Sequence, residues 1–457
     1  MATNGHAEEA KMKEGIAIIG GGLGGLCLAN CLLRRNVPFH IYEAASSFGE
    51  IGAGIMCGPH AVNALRLISQ DLLTAFHEHV TTNQDESNHW QWGTYRFGTD
   101  SKNPGGPKMA EVEWEVYPDV EVQERLKLCG TKGMSSIHRA RFLDSMIKLI
   151  PEGKASFNKA LERTEQDDAG VTLYFRDGTQ ARAGAVIGCD GIKSKVRTSM
   201  LKPKGRKVEP QYAGEYGYRS LIDWSVAQEI LGPDIAGNLN LWEAHGAYVI
   251  HYPVEKGKMV NVVGVIRDTN PTEEKSYEKL VKSVPRETMY DDFKDWDPRI
   301  RRLLREFKTS DQWSLWDLVH DEEYNSGRVC LLGDAAHAAV PHLGSGAAMA
   351  IEDAYILGSL IAEVPSGADL MTTFSAYDAV RRPRTQQLIQ KSREAGEKHC
   401  LELPGVKDDL SALHEYSKEQ YRWIWNLDLE KQLQDAKDIL ALIAKKNEQN
   451  IIRTSLE

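Results

Sequence analysis

The sequence predicts an α/β fold that carries an inserted antiparallel sheet and ends in helices, and three observations support that prediction. Residues 15–42 read as strand, Gly-rich turn, helix and second strand. Residues 211–267 alternate apolar and polar side chains in runs, the period of half-buried antiparallel strands. From about residue 373 the chain becomes polar, charged and helical in its spacing. With 457 residues the chain exceeds one simple core and suggests two or three intertwined substructures.

Composition narrows the function classes. A hydrophobic share of 42% with 26% charged residues is that of a soluble globular protein. A net charge of −10 argues against a nucleic-acid surface, where a basic face is expected. No apolar run reaches the length of a membrane span. The seven cysteines are odd in number and scattered, with no CxxC, which fits a reducing compartment and a cytoplasmic protein. His337 and His342 are too isolated for a ligand cluster, so no metal is expected. Neither a nucleophile elbow nor HExxH occurs.

The elements follow in order. Residues 1–14 are a polar tail without the apolar stretch of a signal peptide. Residues 15–205 form a first block. In it "GIAIIGGG" is a short buried strand, "LGGLCLANCLLRR" a helix with an apolar face, and "NVPFHIYEA" a second strand ending in an acid. "GEIGAGIMCGPHAVNALRLI" is a Gly-rich loop running into a helix. Residues 81–133, with Trp90, Trp92, Trp114 and "NPGGP", are expected to be a loop-rich insertion. "IHRARFLDSMIKLI" is an amphipathic helix, and "VTLYFRDGTQARAGAVIGCDG" a hairpin with a DG turn followed by a buried strand. Residues 206–310 make the sheet domain, with 276–307 helical. Residues 311–400 return to the first block through "CLLGDAAHAAVPHLGSGAAMAIEDA" and a long polar helix. Residues 401–457 are a helical tail that caps the protein or mediates a homodimer.

Gly20, Gly22 and Gly25 form G-x-G-x-x-G directly after a strand and at the start of a helix. The first glycine permits the tight turn, the second lets a pyrophosphate reach the backbone, and the third allows close helix–strand packing. Glu43 ends the next strand, placed to accept hydrogen bonds from ribose hydroxyls. Together these make a Rossmann-like site for an adenine dinucleotide. A dehydrogenase would continue with further βα units. This chain goes instead into "GAGI", "VIGCDG" and "GDAAH".

That order of motifs, with "HRARFL", "CDGIKSKVR" and "GDAAH…P…G.GAAMAIEDA", resembles the class A flavoprotein monooxygenases of the para-hydroxybenzoate hydroxylase fold. It is similar in particular to salicylate hydroxylase and fungal polyketide-pathway hydroxylases, from about Gly15 to Arg384. The resemblance implies FAD as cofactor, with NADPH or NADH and O2 as co-substrates. In such enzymes FAD carries the hard step. NAD(P)H reduces the flavin, O2 adds at C4a, and the hydroperoxide transfers oxygen to an electron-rich ring. The resemblance assigns Asp334 to the ribityl chain, and Gly346 and Ala347 to a bend beneath the isoalloxazine. It places Ala53 and Gly54 near the flavin and gives Arg139 an FAD contact. Asp190 falls near the pyrophosphate and the NAD(P)H route, Arg197 near phosphate, and His337 in a structural role.

The sheet domain supplies the substrate groups. Arg219 matches the family's substrate arginine. Its partner is Tyr252 first, then His251, then Tyr248. Pro341 and His342 follow the flavin loop and face the substrate. The activity implied is hydroxylation of an electron-rich phenolic polyketide, with or without dearomatisation. The alternatives are decarboxylative hydroxylation of a salicylate-type acid, and a reductase or epoxidase of the same fold.

Overall fold

The computed structural model describes residues 15–48, 54–99, 113–270, 277, 279–364 and 370–456. Ala53 and the "NPGGP" stretch lie outside the described residues. Two large sheets organise the chain. The first has six strands in the order Asn325–Ser326, Val329–Leu331, Ala185–Gly188, Ile16–Ile19, Phe39–Tyr42 and Ala155–Ser156. All its pairings are parallel except that of the first two. Ile16–Ile19 is buried along its whole length, as expected of a parallel strand covered by helices on both faces. Helices Leu23–Arg34 and Gly346–Ala362 pack against each other over this sheet.

The second sheet has eight strands: Val281–Ser283, Asp311–Asp317, Gln211–Asp223, Met259–Arg267, Ala247–Val254, Asn240–Ala244, Gly93–Phe97 and Glu113–Val116. Its extent differs from the sequence reading at both ends. Residues 81–133 were expected as a loop insertion, yet 93–97 and 113–116 are strands of this sheet. Strand Gly93–Phe97 is buried on both faces and pairs in parallel with Asn240–Ala244, so it shows no alternation to read. The sheet domain also extends past residue 310, because Asp311–Asp317 pairs with Gln211–Asp223. Residues 276–307 are not wholly helical, since Val281–Ser283 is the edge strand before helices Arg286–Asp292 and Pro298–Arg305.

One face of the second sheet packs on the latter helices and Trp224–Leu231. The other packs on the first block, the long helix Leu370–His399 and the tail helices Leu410–Glu419 and Arg422–Trp425. Among the described residues no helix is long and apolar enough to cross a membrane.

Between the two long helices lies a buried ion network. Arg381 reaches Glu352 at 2.8 Å and Asp353 at 2.7 Å, and Arg384 reaches Glu352 at 2.9 Å. His337 Nε2 lies 2.6 Å from Asp353. Burial raises the Glu352 carboxyl, but Arg384 and Arg381 outweigh it and hold the group at about 2. Asp353 is likewise held below its usual range by His337 and Arg381 against its burial. Carboxyls depressed in the folded state stabilise it above their unfolded pKa and lose that contribution as pH falls through the folded value. Glu352 alone contributes of the order of 3 kcal/mol. The melting temperature is therefore expected to fall as pH drops from about 4.5 towards 2. An Arg381→Met variant, already without this pair, should show a flatter acid limb in thermal melts; an unchanged limb would refute the role.

Candidate active site

The chain ends of the parallel strands build one half of the site. Gly20 sits at φ +100 after Ile16–Ile19, and a Cβ there would lie 2.5 Å from the Cys189 carbonyl oxygen. A Cβ on Gly25 would lie 2.1 Å from the Gly20 carbonyl oxygen. Gly22 differs: it caps helix Leu23–Arg34, and a Cβ there meets nothing within 4 Å. Helix N–H groups and the positive end of the dipole thus open onto clear space, suited to a phosphate. Glu43 braces the turn, accepting from the Gly21 N–H at 2.7 Å and the Ala45 N–H at 2.8 Å.

Asp190 lies beside Gly20, at the turn where a pyrophosphate is expected. It accepts from Ser194 Oγ at 2.6 Å and the Lys195 and Val196 N–H groups at 2.7 and 3.1 Å, capping helix Lys195–Leu201. The Arg197 guanidinium, expected near phosphate, is buried and donates to the backbone carbonyls of Ala335, Ile192 and Val208. Arg197 ties down the turn that presents Asp334 through the Ala335 carbonyl.

Asp334 begins the short helix Asp334–His337, just after Gly333 at φ +65. Asp353 holds that turn from behind, taking the Gly333 N–H at 3.1 Å and His337. Gly333 and Ala335 are buried while Asp334 is exposed. No hydrogen bond or ion pair of Asp334 is found among the described residues. Strands Ile16–Ile19, Ala185–Gly188 and Val329–Leu331 are adjacent and parallel, so Gly20, Asp190 and Asp334 share one carboxyl edge. That edge is where dinucleotides bind in open α/β sheets.

Gly344 takes φ +59 and is followed by Gly346, which opens helix Gly346–Ala362; a Cβ on Gly346 again meets nothing within 4 Å. Ala347 is half-buried at the same helix start. Strand Gly54–Met56 pairs with Ser135–His138, setting Gly54 opposite His138 and next to Arg139, the first residue of its helix. The residues present fit a flavin dinucleotide: a clear helix N-terminus, an outward acid, and a second Gly-rich helix start.

The second sheet supplies the opposite wall. Paired residues on antiparallel strands share a face. That rule puts Arg219, Tyr248, Tyr252, Glu215 and Asn261 together on the face towards the first block. Tyr252 donates to the Gly54 carbonyl at 2.9 Å, and the Arg219 guanidinium stacks 3.7 Å over the Trp313 ring. Burial, and then the Cys57 thiol, raise the Tyr252 phenol above its usual range, and the Arg219 charge opposes that rise.

His251 is a correction. Alternation turns it to the opposite face, where it is buried beside Trp242 with neither ring nitrogen partnered among the described residues. Burial, then Arg96 and Arg299, push it down to about 3, so it is a neutral core histidine.

Pro341 is exposed, whereas His342 is buried. His342 bonds Tyr248 Oη through Nδ1 and Glu215 through Nε2, both at 2.7 Å. Burial raises Glu215, but His342 and Arg267 outweigh it and hold the carboxyl below its usual range. Gly396 in helix Leu370–His399 makes room for this pair: a Cβ there would lie 2.7 Å from the His342 ring. Sequence reasoning missed Glu215, Asn261, Trp313 and Gly396. Glu215 and Arg219, four apart on a strand, carried a readable signal of shared face.

Gly22→Val is expected to fold as the wild type does, because a Cβ there meets nothing within 4 Å and the backbone is already extended at φ −74, ψ −172. It should nevertheless purify without bound dinucleotide, since the valine fills the space a pyrophosphate needs. Retained yellow colour would refute the assignment.

A family profile described as "FAD binding domain" matches residues 13–392. The chain is 37% identical over 436 residues to the 6-methylsalicylate 1-monooxygenase of Aspergillus terreus, covering 94% of this chain and 93% of that protein. It is 32% identical over 434 residues to a salicylate hydroxylase of Pseudomonas putida, covering 92% and 94%. A solved salicylate hydroxylase substrate complex superposes with a TM-score of 0.78 at 29% identity, over 92% of this chain and 97% of that one.

Proposed function

The chain belongs to the FAD binding domain family and is an FAD-dependent monooxygenase that uses NAD(P)H and O2; from that premise we propose that it hydroxylates an electron-rich phenol of polyketide type. FAD, once bound and reduced, supplies the activated oxygen. The protein's own residues bind the phenol, hold it as its anion and keep water away. Asp334, the start of helix Leu23–Arg34 and the Gly344–Ala347 bend would hold the dinucleotide, with Arg139 and Gly54 on its flavin side.

The observation that carries the substrate assignment is the Arg219 guanidinium, 3.7 Å over the Trp313 ring and on the same sheet face as Tyr252, which bonds the Gly54 carbonyl. A cation there stabilises a phenolate, and a phenolate is the ring form rich enough to accept electrophilic oxygen. Tyr248 and His342 complete that wall. The balance is one ring C–H and O2 converted to C–OH and water, with NAD(P)H and a proton consumed. Attack at a carbon bearing alkyl gives a dearomatised dienone instead.

Similarity to proteins named 6-methylsalicylate 1-monooxygenase and salicylate hydroxylase favours a second reading, in which the substrate is a salicylate-type acid and its carboxylate leaves as CO2. The test is turnover of purified holoenzyme with NADPH or NADH, offered 2,4-dihydroxybenzaldehyde and, separately, salicylic acid. Oxygenated aldehyde without CO2 supports the first reading. Catechol with CO2 supports the second. Oxidation of NAD(P)H unaltered by either phenol refutes both.

A further inference from the structure

Strand Asp311–Asp317 does not keep an even register beside Gln211–Asp223. Tyr212 pairs with Trp316 but Tyr216 pairs with Ser314, so residues 213–215 on one strand stand against residue 315 alone on the other. Gly214, at φ +77, lies inside this bulge. Two extra residues slide the partner strand by roughly 7 Å. In even register Trp313 would sit opposite Glu215; with the bulge it sits opposite Gly217. Bulges are common beside active sites because they re-aim side chains in this way.

Gly217 has no side chain to meet the indole, which leaves room for it beside residue 219, the next on that face. The Arg219 guanidinium lies there, 3.7 Å over the ring. The face is open at this point. Arg219, Trp313, Leu315, Val263 and Ile250 are only half-buried, although none of their strands is an edge of the sheet. A molecule on that face therefore meets the cation and not a filled core. Among aromatic rings the indole attracts a guanidinium most strongly. Stacked on a ring, a guanidinium keeps its N–H donors in its own plane, and the indole shields its covered face from water. Both effects strengthen a bond made to an anion through the N–H edge.

We propose that Trp313 is a positioning residue: it holds the Arg219 guanidinium against the indole so that a fixed N–H edge, and not a mobile charge, meets the phenolate oxygen of the substrate. This rests on the reading of Arg219 given above and extends it to a residue that acts through Arg219. The bulge at Gly214 and the missing side chain at Gly217 are the two features of the strand that set the indole in its place.

The experiment follows the fraction of 2,4-dihydroxybenzaldehyde that is ionised when bound to oxidised holoenzyme, read from its phenolate absorbance as pH is varied. Trp313→Leu removes the aromatic face and keeps apolar bulk; Trp313→Phe keeps a ring. Arg219→Ala is the reference. Trp313→Leu is expected to retain FAD and to raise the pH of half-ionisation by about one unit, a tenfold weaker ionisation, which is part of the one to three units a nearby cation supplies. Trp313→Phe should stay close to the wild type, since a ring still faces the cation. Product formed per NAD(P)H consumed should fall in the leucine variant and recover as pH rises.

A half-ionisation pH unmoved in Trp313→Leu beside a raised one in Arg219→Ala overturns the role of Trp313, whatever the melting temperature of the variant. Equal shifts in the leucine and phenylalanine variants overturn it as well, because bulk and not the aromatic face would then be at work. Loss of FAD from Trp313→Leu overturns it and leaves the indole as a brace of the sheet. A value unmoved in Arg219→Ala, or a wild-type enzyme that does not bind the aldehyde as its anion, overturns the reading of Arg219 itself.

Discussion

Asp334→Ala is expected to yield a folded, colourless protein. The residue is exposed on a turn whose other members are buried, and that turn is held by Asp353, His337 and Arg197 without help from the Asp334 carboxylate. Removing it therefore costs the apo fold little. What is lost is a charged acceptor for ribityl hydroxyls, and such charge-assisted bonds contribute about 1.5–3 kcal/mol each. Two of them amount to a loss of roughly two to four decades in FAD affinity. Flavin content by absorbance, read beside a thermal melt, separates the two effects. A variant that purifies with stoichiometric FAD would remove Asp334 from the cofactor site.

Arg219→Ala should behave in the opposite way, keeping FAD, fold and basal NAD(P)H oxidation while losing oxygenated product. Its stack on Trp313 lies on the sheet wall, away from the glycine turns that cradle the dinucleotide. A nearby cation lowers a phenol's pKa by roughly one to three units, about 1.4 kcal/mol per unit. Without it the ring stays protonated and the reducing equivalents leave as H2O2. Lysine should rescue in part, since it restores charge but not the planar fork that lies on the indole. Product formed per NAD(P)H consumed, measured with H2O2 release, decides the matter. Unchanged coupling would transfer the role to Tyr252.

The dinucleotide half of the site was legible because its signals are local. Gly20, Gly22 and Gly25 sit within six residues, and at Gly20 and Gly25 a side chain would strike neighbouring backbone. The acid of GDAAH was legible for the same reason. The sheet wall was read in part. In "YVIHYPV" the period of two already separates His251 from Tyr248 and Tyr252, yet a histidine among tyrosines drew attention that its face does not justify. Strand Gly93–Phe97 was missed because it is buried on both sides and pairs with a partner far along the chain. The Glu215–His342 contact joins residues 127 apart, and no spacing rule in a single sequence announces such a pair.

Gly396 has a consequence for anyone recombining this enzyme with its relatives. A methyl group at that point of helix Leu370–His399 would lie 2.7 Å from the His342 ring and 3.2 Å from Glu215 Oε1. Three segments distant in the chain thus meet at one keyhole: the sheet strand, the bend before the second Gly-rich helix, and the long helix. A chimera that exchanges the sheet domain at convenient loop boundaries splits this set between two parents. Grafts that carry Glu215, His342 and Gly396 as a unit should accept foreign substrate walls, while grafts that break the trio should misdock the wall against the cofactor half before any substrate is offered.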